Sequence, residues 1–159
     1  MTSDDMRARL RPGDRLLALD VGSKTIGLAT HVWGQEVVMP LQTLARVKFT
    51  HDATALAAQM TDLSVRALVI GWPLLLDGSP GKRCQSVKDF TDELERFFIT
   101  SKGMTDVMMT FQDERFSTAH GDDMVDDIGK TAGKSIRHRR DAIIDSLAAQ
   151  RILSEFVGV

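Results

Sequence analysis

Residues 16–30, LLALDVGSKTIGLAT, constrain the fold more than any other part of the chain. Leu16-Leu17-Ala18-Leu19 is an apolar run that ends on a carboxylate, Asp20, and turns at once through Gly22 into a second apolar segment, 26–29. Short apolar runs bounded by glycine read as buried strands, and two of them joined by a glycine-containing turn read as a β-hairpin. A carboxylate in a central strand is costly to bury unless it is paired or coordinates a metal. Asp20 is therefore either a turn-initiating Asp bonded to nearby amides or part of a site that holds a cation.

The elements that follow point to a mixed α/β sheet. The first hairpin predicts strands over 15–21 and 25–31. Residues 36–44 form a third apolar stretch, and Pro40 within it suits an edge strand because it cannot donate to a ladder. Leu56, Met60 and Leu63 at helical spacing predict a helix over 51–63. Ala67-Leu68-Val69-Ile70 is continuous and apolar, a strand buried on both faces, and it opens into the Gly- and Pro-rich loop GWPLLLDGSPGKR. A helix over 85–100 follows, with Val87, Phe90, Leu94, Phe97 and Phe98 as its buried stripe, then a strand over 106–111. Ser117 or Thr118 is placed to cap a helix reaching 128, and a basic loop leads to a last helix over 136–156 with an inward stripe of Ile144, Leu147, Ala148, Ile152 and Phe156. Strands separated by helices imply parallel pairing, and hairpins imply antiparallel pairing. One domain covers 1–159, with 1–12 expected to be a loosely attached start.

Composition narrows the class. With 159 residues the chain is long enough to bury a sizeable core, and 43% hydrophobic with 26% charged residues is ordinary for a soluble globular protein. A single cysteine, Cys84, leaves no disulfide framework and no Cys-based zinc site, which suits a reducing cytoplasm. The opening residues carry mixed charges and no apolar run of signal-peptide type, and the longest nearly apolar run is too short for a bilayer, so no membrane role is expected. Net charge is only −2, but its distribution is uneven: residues 120–127 hold four aspartates, and 130–140 hold Lys130, Lys134, Arg137, Arg139 and Arg140 without an acid. Such a basic block is either a solvated face or a phosphate contact.

Carboxylates mark the candidate chemistry. In open α/β sheets, sites form outside the carboxyl ends of the parallel strands. Asp20 ends strand one and Glu114 lies just past strand five, so both face one crevice if those strands are neighbours. The last helix offers Asp141 and Asp145, and charge spacing does not choose between them. Three convergent carboxylates make an oxygen-ligand site for Mg²⁺ or Mn²⁺, the hardware of phosphodiester hydrolysis. The competing readings are local: Asp141 pairs with Arg137 four residues back, and Glu114 pairs with Arg115 on the surface.

These residues resemble a known family. LALDVGSKTIGLA, VIGWPLLLDGSPG, DERFST and IIDSLAAQRIL are similar to the four blocks of the YqgF family, in family order over residues 16–153. The resemblance implies an RNase H-like fold, a five-stranded mixed sheet with its first three strands antiparallel and its last two parallel, flanked by helices. It implies a nuclease that trims the 5′ end of precursor 16S rRNA, also described as Holliday-junction-resolvase-like. By the same resemblance the catalytic, metal-holding acids are Asp20, Glu114 and Asp145, and Lys24, Arg115 and Thr118 fall on family-like polar positions. With Lys134, Arg137, Arg139 and Arg140 these form the expected nucleic-acid-binding set. The chain departs from the family pattern at Thr30-His31-Val32, where many members carry an Asp, and at Trp72, where a smaller apolar residue is usual. Trp72 either packs or stacks on an unpaired base.

Three alternatives remain at this stage. Asp20-Val21-Gly22-Ser23-Lys24 also looks like the first phosphate loop of actin-like ATPases, but no second Asp-Gly-rich loop or second domain follows. A non-catalytic RNA-binding or ribosome-associated module would use the basic block, Lys82, Arg83 and Trp72 without needing acids. A resolvase of branched DNA would use the same three acids, and such enzymes act as dimers that cut symmetrically. The expected partners are therefore precursor rRNA first, then branched DNA, and the ribosomal particle, with the chain a monomer or weak dimer.

Overall fold

The computed structural model describes residues 1–115 and 134–159, the side chains of 134–139, 141 and 142 excepted. The elements in order are α1 (Ser3–Arg9), β1 (Arg15–Val21), β2 (Thr25–Val32), β3 (Val38–Ala45), α2 (Phe49–Asp62), β4 (Val65–Trp72), α3 (Lys82–Lys102), β5 (Met108–Asp113) and α4 (Lys134–Val157). One sheet orders them β3-β2-β1-β4-β5. β1, β2 and β3 run antiparallel in sequence, while β1 pairs with β4 and β4 with β5 in parallel. This is the five-stranded mixed sheet expected of an RNase H-like fold, with the Pro40 strand at its edge. The helix anticipated from Ser117 or Thr118 lies outside the described residues.

Alternation along the strands divides the core into two layers. Leu17, Leu19, Val21, Leu68 and Ile70 face α2 and α3, where Leu56, Met60, Leu94 and Phe98 are buried against them. Leu16, Ala18, Ala29, Ala67 and Val69 face α1 and α4, meeting Met6, Ala149, Ile152, Leu153 and Phe156. The second layer is built mostly from small strand residues, so α4 can lie close to the sheet. Asp20 has the same parity as Leu16 and Ala18, which turns its side chain toward α4 rather than into the α2/α3 layer.

The start of the chain is docked, which corrects the expectation of a loose segment over 1–12. Thr2 and Asp5 form a reciprocal capping box at α1. Met6 is 0% exposed and Leu10 is buried, both against the α4 layer. Arg7 Nε donates to the Phe156 carbonyl at 2.9 Å and its guanidinium lies over the Phe156 ring. Two apolar residues are too sparse a pattern to announce an anchored helix, but they are enough to seat a short one when the site is deep.

The inward face of α4 is also rotated from the expected one. Ile144 and Leu147 are 38% and 39% exposed, while Ser146, Ala149, Ile152, Leu153 and Phe156 are buried. Polar contacts set the rotation in the first half of the described helix. Ser146 Oγ donates to the Leu41 carbonyl at 2.9 Å and meets Thr43 Oγ1, and Gln150 Nε2 donates to the Val38 carbonyl at 2.9 Å. These bonds fasten α4 to the edge strand and bring Asp145 over the sheet. The contact is tightest at Gly27 on β2, where an added Cβ would overlap the Asp145 carbonyl oxygen. Neither that backbone oxygen nor the strand can yield like a flexible side-chain tip. Gly27→Ala is therefore expected to destabilise the fold by about 1–3 kcal/mol, read by denaturant unfolding as a lower midpoint at unchanged slope.

Candidate active site at the ends of the central strands

Asp20 stands in the centre of the site and is flanked on both sides by glycine. Its cross-strand partner on β2 is Gly27. On β4, Gly71 lies one residue beyond the Leu19–Ile70 pair. Strand five is therefore not the neighbour of strand one, because β4 separates them. Glu114 nevertheless reaches toward Asp20 because Gly71 has no side chain. A Cβ on Gly71 would overlap Glu114 Oε1 and lie 2.7 Å from Ile152 Cδ1. On the other flank the bare face of Gly27 admits α4 and Asp145. Two glycines thus open the two paths by which second and third carboxylates approach the first.

Electrostatics record the meeting. Burial first, and the Asp145 carboxylate second, push Asp20 up to about 6, partly offset by Arg83. Burial first, and Asp20 second, push Glu114 up to about 7, again offset by Arg83, with Glu155 and Asp113 adding to the rise. Thr25 Oγ1 donates to Asp145 Oδ2 at 2.5 Å, a short charge-assisted bond that orients this carboxylate from the start of β2. Among the described residues, no three His, Cys, Asp or Glu side chains already form a group able to hold a metal ion. Asp20 is the acid common to both effects, and like charges held near one another in this way favour the arrival of a cation.

The other expected residues fall in distinct places. Lys24 is exposed in the turn between β1 and β2. Arg115 lies on Asp113: its Nε and Nη2 meet Asp113 Oδ2 at 2.8 and 2.7 Å, and its amide donates to Asp113 Oδ1. This clamp lowers Asp113 and fixes the chain just after β5, beside Glu114. Arg115 Nη1 also occupies the space beside Gly78, whose φ of +85° sets the loop between β4 and α3. Arg140 is half-buried on α4. Lys134, Arg137 and Arg139 belong to the backbone of α4, and their side chains, like that of Asp141 and all of Thr118, lie outside the described residues. Trp72 packs on Phe111, ring centroids 4.6 Å apart, within the α2/α3 layer.

Arg83 is the residue that sequence reasoning placed only in a binding loop. It lies in the first turn of α3, a turn with no acid, and is the cation that offsets both Asp20 and Glu114. Nothing in its local pattern distinguishes it from Lys82; only the approach of α3 to the sheet end does. Gly71 carried a readable signal, since an isolated glycine at the end of an apolar strand marks close approach of another group. Arg46 was not singled out either. Its Nη1 donates to the Gly22 carbonyl at 2.6 Å, its Nε pairs with buried Asp52 at 3.5 Å, and it lies over the Phe90 ring. Together these hold the β1–β2 turn in place.

The raised carboxyls make a definite prediction for stability without metal. Asp20 and Glu114 bind protons more tightly when folded than at their ordinary values of 3.8 and 4.5. Their stabilising contribution is complete in acid and is lost as pH rises through about 6 and 7. In chelator, Asp20→Asn should therefore melt several degrees above the native chain at about pH 8, at roughly 2–4 °C per kcal/mol for this size, with the gap closing toward about pH 4. A pH-independent gap would remove the repulsion from the account.

Comparisons with known proteins bear on the family and the fold. A family model described as "RuvX: Holliday junction resolvase" matches residues 14–158. A protein of Rhodospirillum centenum, provisionally named a pre-16S rRNA nuclease, is 40% identical over 94% of this chain and 76% of its own length. One from Ruegeria pomeroyi with the same provisional name is 38% identical over 96% of this chain and 91% of its own. In three dimensions the chain is similar to the fowlpox virus resolvase solved with Holliday junction DNA, with a TM-score of 0.55 and 10% identity, covering 91% of this chain and 97% of that one. That likeness shows the RNase H-like resolvase fold. With four sequence blocks, the sheet order and these matches in agreement, the chain belongs to the YqgF family, the family that the RuvX model describes, and is a nuclease of that family.

Proposed function

We propose that the chain is a metal-dependent endonuclease whose substrate is the 5′ end of precursor 16S rRNA, acting in the cytoplasm during ribosome biogenesis. The observation that carries this reading is the approach of Glu114 and Asp145 to Asp20 across two glycines. The donor set is all oxygen, and its repulsion is relieved by a cation, so it fits Mg²⁺ or Mn²⁺. Asp20 would be the shared ligand, with Asp145 and Glu114 on its two sides. When bound, such an ion supplies Lewis-acid stabilisation of charge at the reacting phosphate.

The chain's own residues have separable tasks. Thr25 holds the Asp145 carboxylate in one orientation through its hydroxyl. Gly71 leaves the space that the Glu114 carboxylate occupies, and the Glu114 amide donates to the Trp72 carbonyl at 3.1 Å, which fixes the residue's backbone to the end of β4. Arg83 and Lys24 flank the acids and would neutralise phosphates on either side of the reacting one. Arg140, with the basic positions Lys134, Arg137 and Arg139 and the polar positions Arg115 and Thr118, would extend that contact along the strand.

The name of the family model supports a second substrate, branched DNA, and the provisional names of the relatives support rRNA. A labelled RNA spanning the precursor 5′ end and a synthetic four-way DNA junction, each with Mg²⁺ or Mn²⁺, decide between them. The RNA should be cleaved at discrete positions and the junction left intact. Asp20→Asn should lower the rate by more than about 100-fold, since even groups that only support metal ligands are worth 10–100-fold. Gly71→Ala should lower it as well by displacing Glu114 while leaving Asp20 and Asp145 in place. Full activity in Asp20→Asn would contradict the assignment.

A further inference from the structure

Beside Asp145 lies a cleft of about 650 Å³, lined in part by the Lys24 and Arg83 that the chemistry above assigns to flanking phosphates. One wall is the β1–β2 turn with Ser23 and Lys24; the other is the first turns of α3 with Arg83 and Ser86; Val21 and Val87 lie between them. Asp145 also lines it, so the cleft borders one of the three acids. Ligand pockets run to about 300–1,000 Å³, so this volume suits one small molecule or one residue of a polymer.

The wall chemistry is specific. Lys24 and Arg83 are exposed and stand on opposite walls. Arg46 also reaches the cleft, but its guanidinium is committed to Gly22, Asp52 and Phe90, so it shapes the turn instead of binding. Ser86 Oγ makes only a long bond, 3.3 Å, to the Lys82 carbonyl within its own helix, and it can donate elsewhere. Exposed cations and hydroxyls with buried, apolar Val21 and Val87 in one lining match an amphipathic ligand with a phosphate at one end and an apolar face at the other. A single nucleotide has that character. A paired nucleotide does not, because a duplex buries its base faces in the stack and offers a protein only phosphates and groove edges.

We propose that this cleft seats one unpaired nucleotide adjacent to the reacting phosphodiester, its phosphate between Lys24 and Arg83 and its base against Val21 and Val87. The inference rests on the nuclease reading and deepens it: the substrate is single-stranded on the Asp145 side of the cut. The site then selects by strandedness. A segment held in a duplex reaches the acids without filling the cleft and forgoes the contacts that place it.

Binding without metal tests the cleft apart from cleavage. A short fluorescent RNA, single-stranded or annealed to its complement, is titrated in chelator with the native chain and with Ser86→Trp, whose bulk fills the cleft from an exposed helix position. The single strand should bind the variant about tenfold more weakly, the worth of one seated base, while the duplex changes by less than about twofold. Equal losses on both RNAs, or no loss, would overturn the proposal. Thermal melting checks that Ser86→Trp is folded. As an independent readout that needs no variant, adenosine monophosphate added to the native chain should shift the backbone amide resonances of Ser23, Lys24, Ser86 and Val87 but not those of Gln59, beyond the core. Unmoved resonances at the four positions would equally overturn it. Selective binding of single strands by a protein that cuts nothing would fail the nuclease reading alone. Cleavage that Ser86→Trp leaves unchanged would fail the cleft alone.

Discussion

Everything at this site depends on the absence of two side chains around Asp20. A carboxylate in the middle of a sheet normally has neighbours on both adjacent strands that keep other elements away. Here the neighbours are Gly27 and Gly71, and what a side chain would occupy is filled instead by the Asp145 backbone and the Glu114 carboxylate. Three carboxylates from a central strand, a strand two places away and a helix are thus brought to one sheet end without a long loop. The cost is electrostatic. Burial and mutual repulsion raise Asp20 and Glu114 well above ordinary carboxyls, and the fold tolerates this because the remaining layers are densely packed with apolar residues.

Cations manage the repulsion, and each is placed differently. Arg83 sits on the first turn of α3 and acts on both raised carboxyls. Arg115 is held on Asp113, whose charge still adds to the rise of Glu114, and it reaches the Gly78 loop. Arg46 serves the turn that carries Lys24, through the Gly22 carbonyl and buried Asp52. Asp52 is 1% exposed yet well supplied with donors: the Val47 amide, the Arg46 guanidinium and His51 all meet it. A buried acid with such partners is a brace, whereas Asp20 has chiefly other acids near it. That contrast sets the braced carboxylate of Asp52 apart from the raised carboxyl of Asp20.

Much of the architecture was legible in the amino-acid sequence. Glycine and proline punctuation gave every described strand and helix from residue 15 onward to within a few positions, and Pro40 placed β3 at the edge. The carboxylates were legible as candidates because each ends or borders an apolar element. Charge spacing did not choose between Asp141 and Asp145; the family resemblance pointed to Asp145, and the side chain of Asp141 lies outside the described residues. The inward face of α4 was misjudged because apolar size suggested Ile144 and Leu147, while Ser146 and Gln150 secure the helix through hydrogen bonds to β3 carbonyls. Periodicity measures hydrophobicity and is blind to such bonds. Arg83 and the docked first helix were hidden for a related reason: both depend on which distant surfaces approach, and neither carries a strong local pattern.

Anomalous diffraction from crystals soaked in Mn²⁺ shows whether Asp20, Glu114 and Asp145 hold one cation between them. A manganese peak is expected within coordination distance of the Asp20 carboxylate and of at least one carboxylate from Glu114 and Asp145. The peak should vanish in Asp20→Asn crystals of the same form. Manganese bound only elsewhere, or a peak indifferent to Asp20→Asn, would contradict a shared site.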